Sequence, residues 1–148
     1  MNGMNPVLIR IRGTQRNDMG KTDTIESMAV GRHSLKNSKH YVLYDDVLLQ
    51  EKQKTSTVLK FTDDELIILR RGGVEQELRF REGADIRCRY RTPYGHLDMS
   101  VRTSRLAIRY GLTEGSIEAE YDIAINGQYQ STNTLLVEIT NDKKKKEG

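Results

Sequence analysis

From Ile117 to Ile125 every second residue is apolar: Ile117, Ala119, Tyr121, Ile123 and Ile125 share one phase, and Glu118, Glu120 and Asp122 fall in the other. The same two-residue period recurs at Val7/Ile9/Ile11, Ile86/Cys88/Tyr90, Leu97/Met99/Val101 and Leu106/Ile108/Tyr110. Successive side chains of a strand point to opposite faces, so each run predicts a strand with one buried and one wet face. About ten such segments follow one another with short turns, and no helix-period segment exceeds about two turns. Alanine occurs only five times, whereas Val, Ile and Thr together number 31, a balance suited to pleated, half-buried surfaces. The pattern predicts an all-β meander.

Turn chemistry punctuates it. Pro6 and Pro93 fall at segment ends, where a missing N–H costs no ladder bond. Gly72-Gly73 suits a two-residue hairpin because both positions can take positive φ. That register pairs Ile67 with Leu78 on one face and Arg70 with Glu75 on the other. Asn126-Gly127 offers a similar turn, but a two-residue loop there would set Ile125 and Ile123 opposite Gln128 and Gln130. Pairing Ile125 with Leu135, Ile123 with Val137 and Tyr121 with Ile139 keeps apolar residues together; it predicts a polar loop from Asn126 to Thr134 before a last strand. A long meander has two edges to protect, and closing into a barrel removes them. The expected fold is thus a closed antiparallel up-and-down β-barrel of about 8–10 strands, whose interior side chains fill or one small ligand occupies. A two-sheet sandwich is the alternative.

In RCRYRTPYGHL, Arg87 to Leu97, arginine stands at every second position before the turn Thr92-Pro93-Tyr94-Gly95. The preceding VEQELRFREGAD alternates too, and a three-residue loop Glu82-Gly83-Ala84 sets Phe80 against Ile86 and Leu78 against Cys88. On the other face Glu75 then meets Arg91, Glu77 meets Arg89 and Arg81 meets Asp85, leaving only Arg79 opposite a like charge, Arg87. A solvated outer face of matched charges accounts for nearly every arginine. The functional alternative is a surface site in which Arg79, Arg87, Arg89 and Arg91 grip a phosphate or carboxylate. No aromatic residue interleaves on that face, as single-strand binders need.

The 148 residues suit one domain with a core of its own, taken as residues 1–142, followed by a disordered basic tail at 143–148. Setting aside Lys143 to Lys146 and Glu147 removes four of 24 basic and one of 21 acidic residues, so a net charge of +3 falls to zero. A neutral body argues against nucleic acid as a partner. No apolar run approaches the roughly 20 residues of a membrane span. The opening MNGMNPVLIRIRG breaks its apolar stretch with Arg10 and Arg12, unlike a signal peptide. With a single cysteine, Cys88, no internal disulfide can form, and a reducing cytoplasm is the expected location.

Candidate chemistry is sparse. His33, His40 and His96 make no metal-ligand spacing, and no metal or cofactor is expected. Asp45-Asp46 and Asp63-Asp64 are adjacent pairs, which on a strand face opposite ways. No phosphate loop, nucleophile elbow or paired-acid motif is present, so no catalytic residue is assigned. Cys88, in phase with Ile86 and Tyr90, reads as a small buried hydrophobe. The inward faces remain. Tyr90, Tyr110 and Tyr121 share phase with apolar residues, Thr103 continues the Leu97/Met99/Val101 face, and Tyr94 sits at a turn tip that could line a barrel mouth. A packed core with internally bonded hydroxyls is the plain reading. The sharper one is a cavity for a small, partly apolar ligand contacted by Tyr90, Tyr94, Met99, Thr103, Tyr110 and Tyr121, since pockets combine apolar walls with sparse polar groups.

Across RYRTPYGHLDMSVRTSRL and GSIEAEYDIAINGQYQSTNTLLVEI, and again at DTIESMAVGRH…YVLYDD and TVLKF…LIILRRGG, the chain resembles the YwiB-like family of small bacterial proteins. Tyr90 to Gly95 is the most specific stretch, and the resemblance spans about Pro6 to Asn141. It implies a calycin-like closed barrel, the lipocalin type of architecture, and implies no catalytic residues.

Overall fold

Ten antiparallel strands follow in chain order: β1 (Asn5–Asn17), β2 (Thr22–Lys36), β3 (Lys39–Asp46), β4 (Thr55–Phe61), β5 (Leu66–Arg71), β6 (Glu75–Phe80), β7 (Asp85–Thr92), β8 (Gly95–Tyr110), β9 (Gly115–Ile125) and β10 (Gln128–Asn141). The structure is a computed structural model and describes residues 4–46, 55–72 and 75–142. The expected tail at 143–148 lies outside those residues. Every strand pairs with its neighbours in sequence, and β1 pairs with β10 from Val7↔Asn141 to Asn17↔Ser131, which closes the ring. The alternation therefore builds a closed up-and-down barrel, with each strand bonded on both sides.

One phase of each strand points inward. Leu59 and Phe61 on β4, Leu66 and Ile68 on β5, Leu78 and Phe80 on β6, Met99 and Val101 on β8, and Ile117 on β9 are all buried. Ile9 of β1 reaches over Gly31 of β2: a Cβ there would meet the Leu43 carbonyl and come within 2.8 Å of the Ile9 side chain. Only glycine lets the two strands and Tyr44 share that space.

In three places the register differs from expectation, and each difference has a cause. Leu97–Val101 and Leu106–Tyr110 belong to one strand, β8, in which a bulge between Thr103 and Arg105 moves the inward phase from odd to even numbers. The loop before β7 docks on this irregularity: Gly83 N–H donates to the Thr103 carbonyl (2.8 Å), Thr103 N–H donates to the Ala84 carbonyl (3.0 Å), and Leu106 N–H donates to the Glu82 carboxylate (2.9 Å).

Asn126-Gly127 does form a two-residue turn, with φ of 53° and 80° and Ile125 opposite Gln128. A bulge between Tyr129 and Ser131 then sets Ile123 against Ser131, Tyr121 against Asn133 and Ala119 against Leu135. The segment expected as a loop is strand, and the pairing of Ile125 with Leu135 does not occur. Apolar matching fails as a guide here because the barrel lining is polar at Ser131 and Asn133, both buried.

The β5–β6 hairpin is one residue out of the expected register: Ile68 pairs with Leu78, Ile67 with Arg79 and Arg70 with Gln76. Leu66, Ile67, Ile68 and Leu69 are apolar on both faces, so alternation cannot choose between them. The consequence is large, because one step of slip exchanges the faces of a strand. Arg70 shares a face with Leu66 and Ile68 and points into the barrel.

Candidate ligand-binding site

The two ends of the interior are lined differently. Toward the β2–β3, β4–β5 and β8–β9 turns, rings pack together. His33 stacks on His40 with centroids 5.1 Å apart, His40 on Phe61 at 5.0 Å, and Tyr110 lies 4.7–5.3 Å from all three. His33 Nε2 and His40 Nδ1 share a hydrogen bond of 2.9 Å. Burial holds both histidines below the ordinary range; His33 is lowered further by His40, while Asp63 partly opposes the shift at His40. Burial also raises the Tyr110 hydroxyl, which donates to the Thr113 carbonyl at 2.8 Å. His33 is 1% exposed, and its Nδ1 has no hydrogen-bond partner.

Toward the β1–β2, β5–β6 and β9–β10 turns, polar residues take the inward positions. Tyr44, Thr57, Arg70, Gln76 and Tyr90 are paired neighbour to neighbour across β3 to β7 and form a polar belt one residue deep. On the facing wall Thr103, Tyr121 and Asn133 are paired across β8 to β10. Asn133 Nδ2 donates to Ser131 Oγ at 3.0 Å. Tyr121 meets Phe80 edge to face at 4.8 Å, which makes Phe80 the floor between the polar belt and the packed rings. Burial raises the Tyr121 hydroxyl and the Arg70 charge partly opposes the rise, so the two groups sense each other across the lumen.

Beside Arg70 lies a cavity of about 520 Å³, reached by Tyr44, Tyr121 and Asn133 and walled by Ile11, Ala29 and Leu135. That volume falls in the range of about 300–1,000 Å³ usual for small-molecule sites. Arg70 Nη1 donates to Gln76 Oε1 at 3.3 Å. Its Nε is buried and has no hydrogen-bond partner, and no carboxylate lies within ion-pair distance of the guanidinium among the described residues. A buried donor without a partner costs free energy, more so on a charged group. Two further concavities lie on the outer wall, one of the same volume of about 520 Å³, but there Arg12–Glu26 (3.4 Å) and Arg105–Glu118 (3.2 Å) already pair their charges, so lining rather than volume sets the interior cavity apart.

Of the six residues expected to contact a ligand, Met99 (2% exposed), Thr103 (1%) and Tyr121 point inward together, and Tyr90 continues the belt beside Gln76. Thr103 Oγ1 is buried and unpartnered. Two expectations need correction. Tyr110 belongs to the packed end, because the bulge in β8 carries its phase past the polar belt. Tyr94 is 99% exposed at the β7–β8 turn, where Thr92 Oγ1 accepts its N–H at 3.1 Å, so it lines no mouth. The sequence reading sets Arg70 on the outer face opposite Glu75, Asn133 in a loop and His33 and His40 apart, and it does not single out Gln76. Their one available signal is a polar residue in an apolar phase, which is legible only once the register is known.

The arginine row lies on the outer wall, with Glu75↔Arg91 and Glu77↔Arg89 paired as expected. Arg91 meets Glu75 at 3.7 Å, but Glu77 turns to Arg79 on its own strand at 2.9 Å. Arg81 meets Glu65 (3.8 Å) and Asp85 meets Arg102 (3.5 Å), so the expected Arg81–Asp85 pair is absent. The β6–β7 ladder ends at Glu77↔Arg89, and beyond it Arg79 N–H donates to Cys88 Sγ at 3.4 Å. Burial raises the Cys88 thiol. Arg87 and Arg89 make no ion pair among the described residues. Nor, among those residues, do three or more ligating side chains gather to hold a metal, and no helix is long and apolar enough to cross a membrane.

The architecture has relatives. The chain is 22% identical over 132 residues to the uncharacterized beta-barrel protein YwiB of Bacillus subtilis (strain 168), covering 89% of this chain and 91% of that protein. It is similar to the crystal structure of the ywiB protein from Bacillus subtilis, with a TM-score of 0.77, 23% identity, and coverage of 91% of this chain and 92% of that one. Residues 9–137 match the family described as "Domain of unknown function (DUF1934)", and the chain belongs to that YwiB-like family of β-barrel proteins.

Proposed function

We propose that this protein binds a small, partly apolar molecule inside the barrel, in the cavity beside Arg70. The observation that carries this reading is the unequal filling of the interior: buried rings occupy one end, and the other keeps about 520 Å³ beside convergent polar groups. The space opens to solvent past Ile25 and Met28, both exposed, which gives a ligand a way in. Apolar walls with a few fixed polar groups are the usual make-up of a small-molecule site. Of the expected contacts only Tyr121 lines this cavity, where Arg70 and Asn133 join it; Thr103, Met99 and Tyr90 face the lumen outside it.

Mass spectrometry of the freshly purified native protein, set against its denatured mass, tests the reading. A reproducible excess of a few hundred daltons that disappears on denaturation is expected. A bare native mass, together with no uptake of any amphipathic probe in solution, overturns it.

A second reading rests on Arg87 and Arg89, whose charges are unpaired among the described residues. It makes the outer β6–β7 face a docking surface for an acidic protein or RNA. The matched pair Arg91–Glu75 beside them weakens the field such a partner would feel.

A further inference from the structure

The charges around the cavity bear on what it holds. Arg70 is the one cationic residue lining it among the described residues, and Asp23 and Asp45 are its acidic ones. Asp45 is engaged by the Ser56 hydroxyl at 3.1 Å. A guanidinium with a buried, unpartnered Nε, held by Gln76 and with no carboxylate in ion-pair distance among the described residues, is a donor array awaiting an acceptor. Arginine presents its N–H groups as a planar fork that matches a carboxylate's two oxygens. A group carrying two negative charges would find no second cation here and would meet the two aspartates. The walls that continue from Arg70, Ile11, Ala29 and Leu135, are apolar and half-buried, a surface that a ligand's tail would cover.

We infer that the interior ligand is an amphipathic monocarboxylate whose head group pairs with Arg70 and whose apolar portion lies against Ile11, Ala29 and Leu135, an inference that rests on the binding reading above. Gln76 is a positioning residue that fixes the guanidinium, and Tyr121 and Asn133 lie on the facing wall within the same cavity. A charged group with a buried donor left unpartnered is costly, and a carboxylate that takes that donor offsets the cost when it binds.

Calorimetric titration with decanoate, decanol and decylammonium tests this, because the three share a tail and differ in head group. The wild-type protein is expected to prefer decanoate over decanol by about tenfold or more, as a charge-assisted pair replaces an unpartnered donor. Decylammonium is expected to bind weakest. In Arg70→Gln the preference for decanoate should vanish while decanol still binds. Arg70→Lys should restore part of it, since the charge remains and the fork does not. Circular dichroism and melting of each variant establish that it folds. Equal affinity for decanol and decanoate in the wild type, or a preference that survives Arg70→Gln, overturns the inference and leaves interior binding standing. Failure of all three probes to bind, with a bare native mass, overturns both.

Discussion

His33 and Arg70 both project into the barrel, and their surroundings could hardly differ more. His33 packs against the rings of His40 and Tyr110, which Phe61 backs, with a hydrogen bond between the two imidazoles. Around Arg70 lie a cavity, one glutamine and a tyrosine across the lumen. Interior polar groups normally meet a partner within the protein. At the first end the chain largely supplies it, with His33 Nδ1 left over; at the second Gln76 takes one Arg70 donor, and Arg70 Nε and Thr103 Oγ1 stay without a partner. One end holds the fold together and the other leaves room and an unspent charge. The division follows from side chains alone, since the same strands run through both ends.

The largest expected effect falls at the packed end. Phe61 is 1% exposed and touches both His40 and Tyr110. Phe61→Ala should lower unfolding free energy by about 3–5 kcal/mol, the usual range for a buried ring that leaves a void. Urea melts of the variant would show the midpoint fall with little change in slope. A loss under about 1 kcal/mol would mean that the rings do not anchor the barrel and that the contrast between the ends is false.

At the other end the sign reverses. Arg70→Met removes a buried donor without a partner and adds apolar surface beside Ile68 and Leu78. It should raise stability by roughly 1 kcal/mol, because relieving an unsatisfied charged group is favourable in itself. Sites shaped for binding commonly give such gains when their polar groups are removed. A variant less stable than the wild type would show that the Gln76 bond and the packing of Arg70 outweigh its unpartnered Nε, and Arg70 would count as structural rather than as a binding group.

Arg70 also marks how far the sequence can be read. Alternation along β7 and β9 predicts their faces correctly, and the ring of ten strands follows from the meander and its need to protect edges. Along Leu66–Leu69 both faces are apolar, and the period carries no phase. The Gly72-Gly73 pair then misplaces the hairpin by one residue and puts Arg70 outside. At Asn126–Thr134 the error has the opposite origin: an apolar lining is assumed where Ser131 and Asn133 make it polar. Both failures fall at the candidate site. A binding site puts polar side chains in apolar phase, so the rule that finds the core is the rule that the site breaks. The histidine pair is hidden for another reason. His33 and His40 are brought together only by the β2–β3 hairpin register, with His40 directly across from Leu35 and His33 from Val42.

That pair gives the comparison a pH dependence. Burial disfavours the imidazolium of both residues, so the unfolded chain takes up protons more readily, near the ordinary histidine value of about 6.5. Their contribution is fully present above that value and is lost as pH falls through it toward the lower folded values. Melting temperature should therefore decline between about pH 7 and pH 5, and a His33→Leu/His40→Leu double variant should flatten the decline. The opposite slope, or no difference between the proteins, would show that the folded barrel does not hold the histidine pair neutral.

The smallest effects are expected on the outside of the barrel. Arg87 and Arg89 are solvent-exposed, and Arg91 pairs with Glu75 at 3.7 Å with both side chains more than half exposed. Exposed pairs of this kind contribute about 0.2–1 kcal/mol and weaken with salt. Arg87→Ala and Arg89→Ala should each change stability by no more than about 0.5 kcal/mol, and neither should alter decanoate binding, because neither side chain reaches the lumen. The informative readout is a nucleic-acid titration at two salt concentrations. Interior binding as the sole function predicts no measurable RNA affinity in either protein at physiological salt. An affinity that falls steeply with salt and falls further in Arg87→Ala would give the outer wall a role of its own, since counterion release ties salt dependence to the number of phosphate contacts. The barrel would then carry two sites on opposite sides of one sheet, with alternate residues of β6 and β7 serving each.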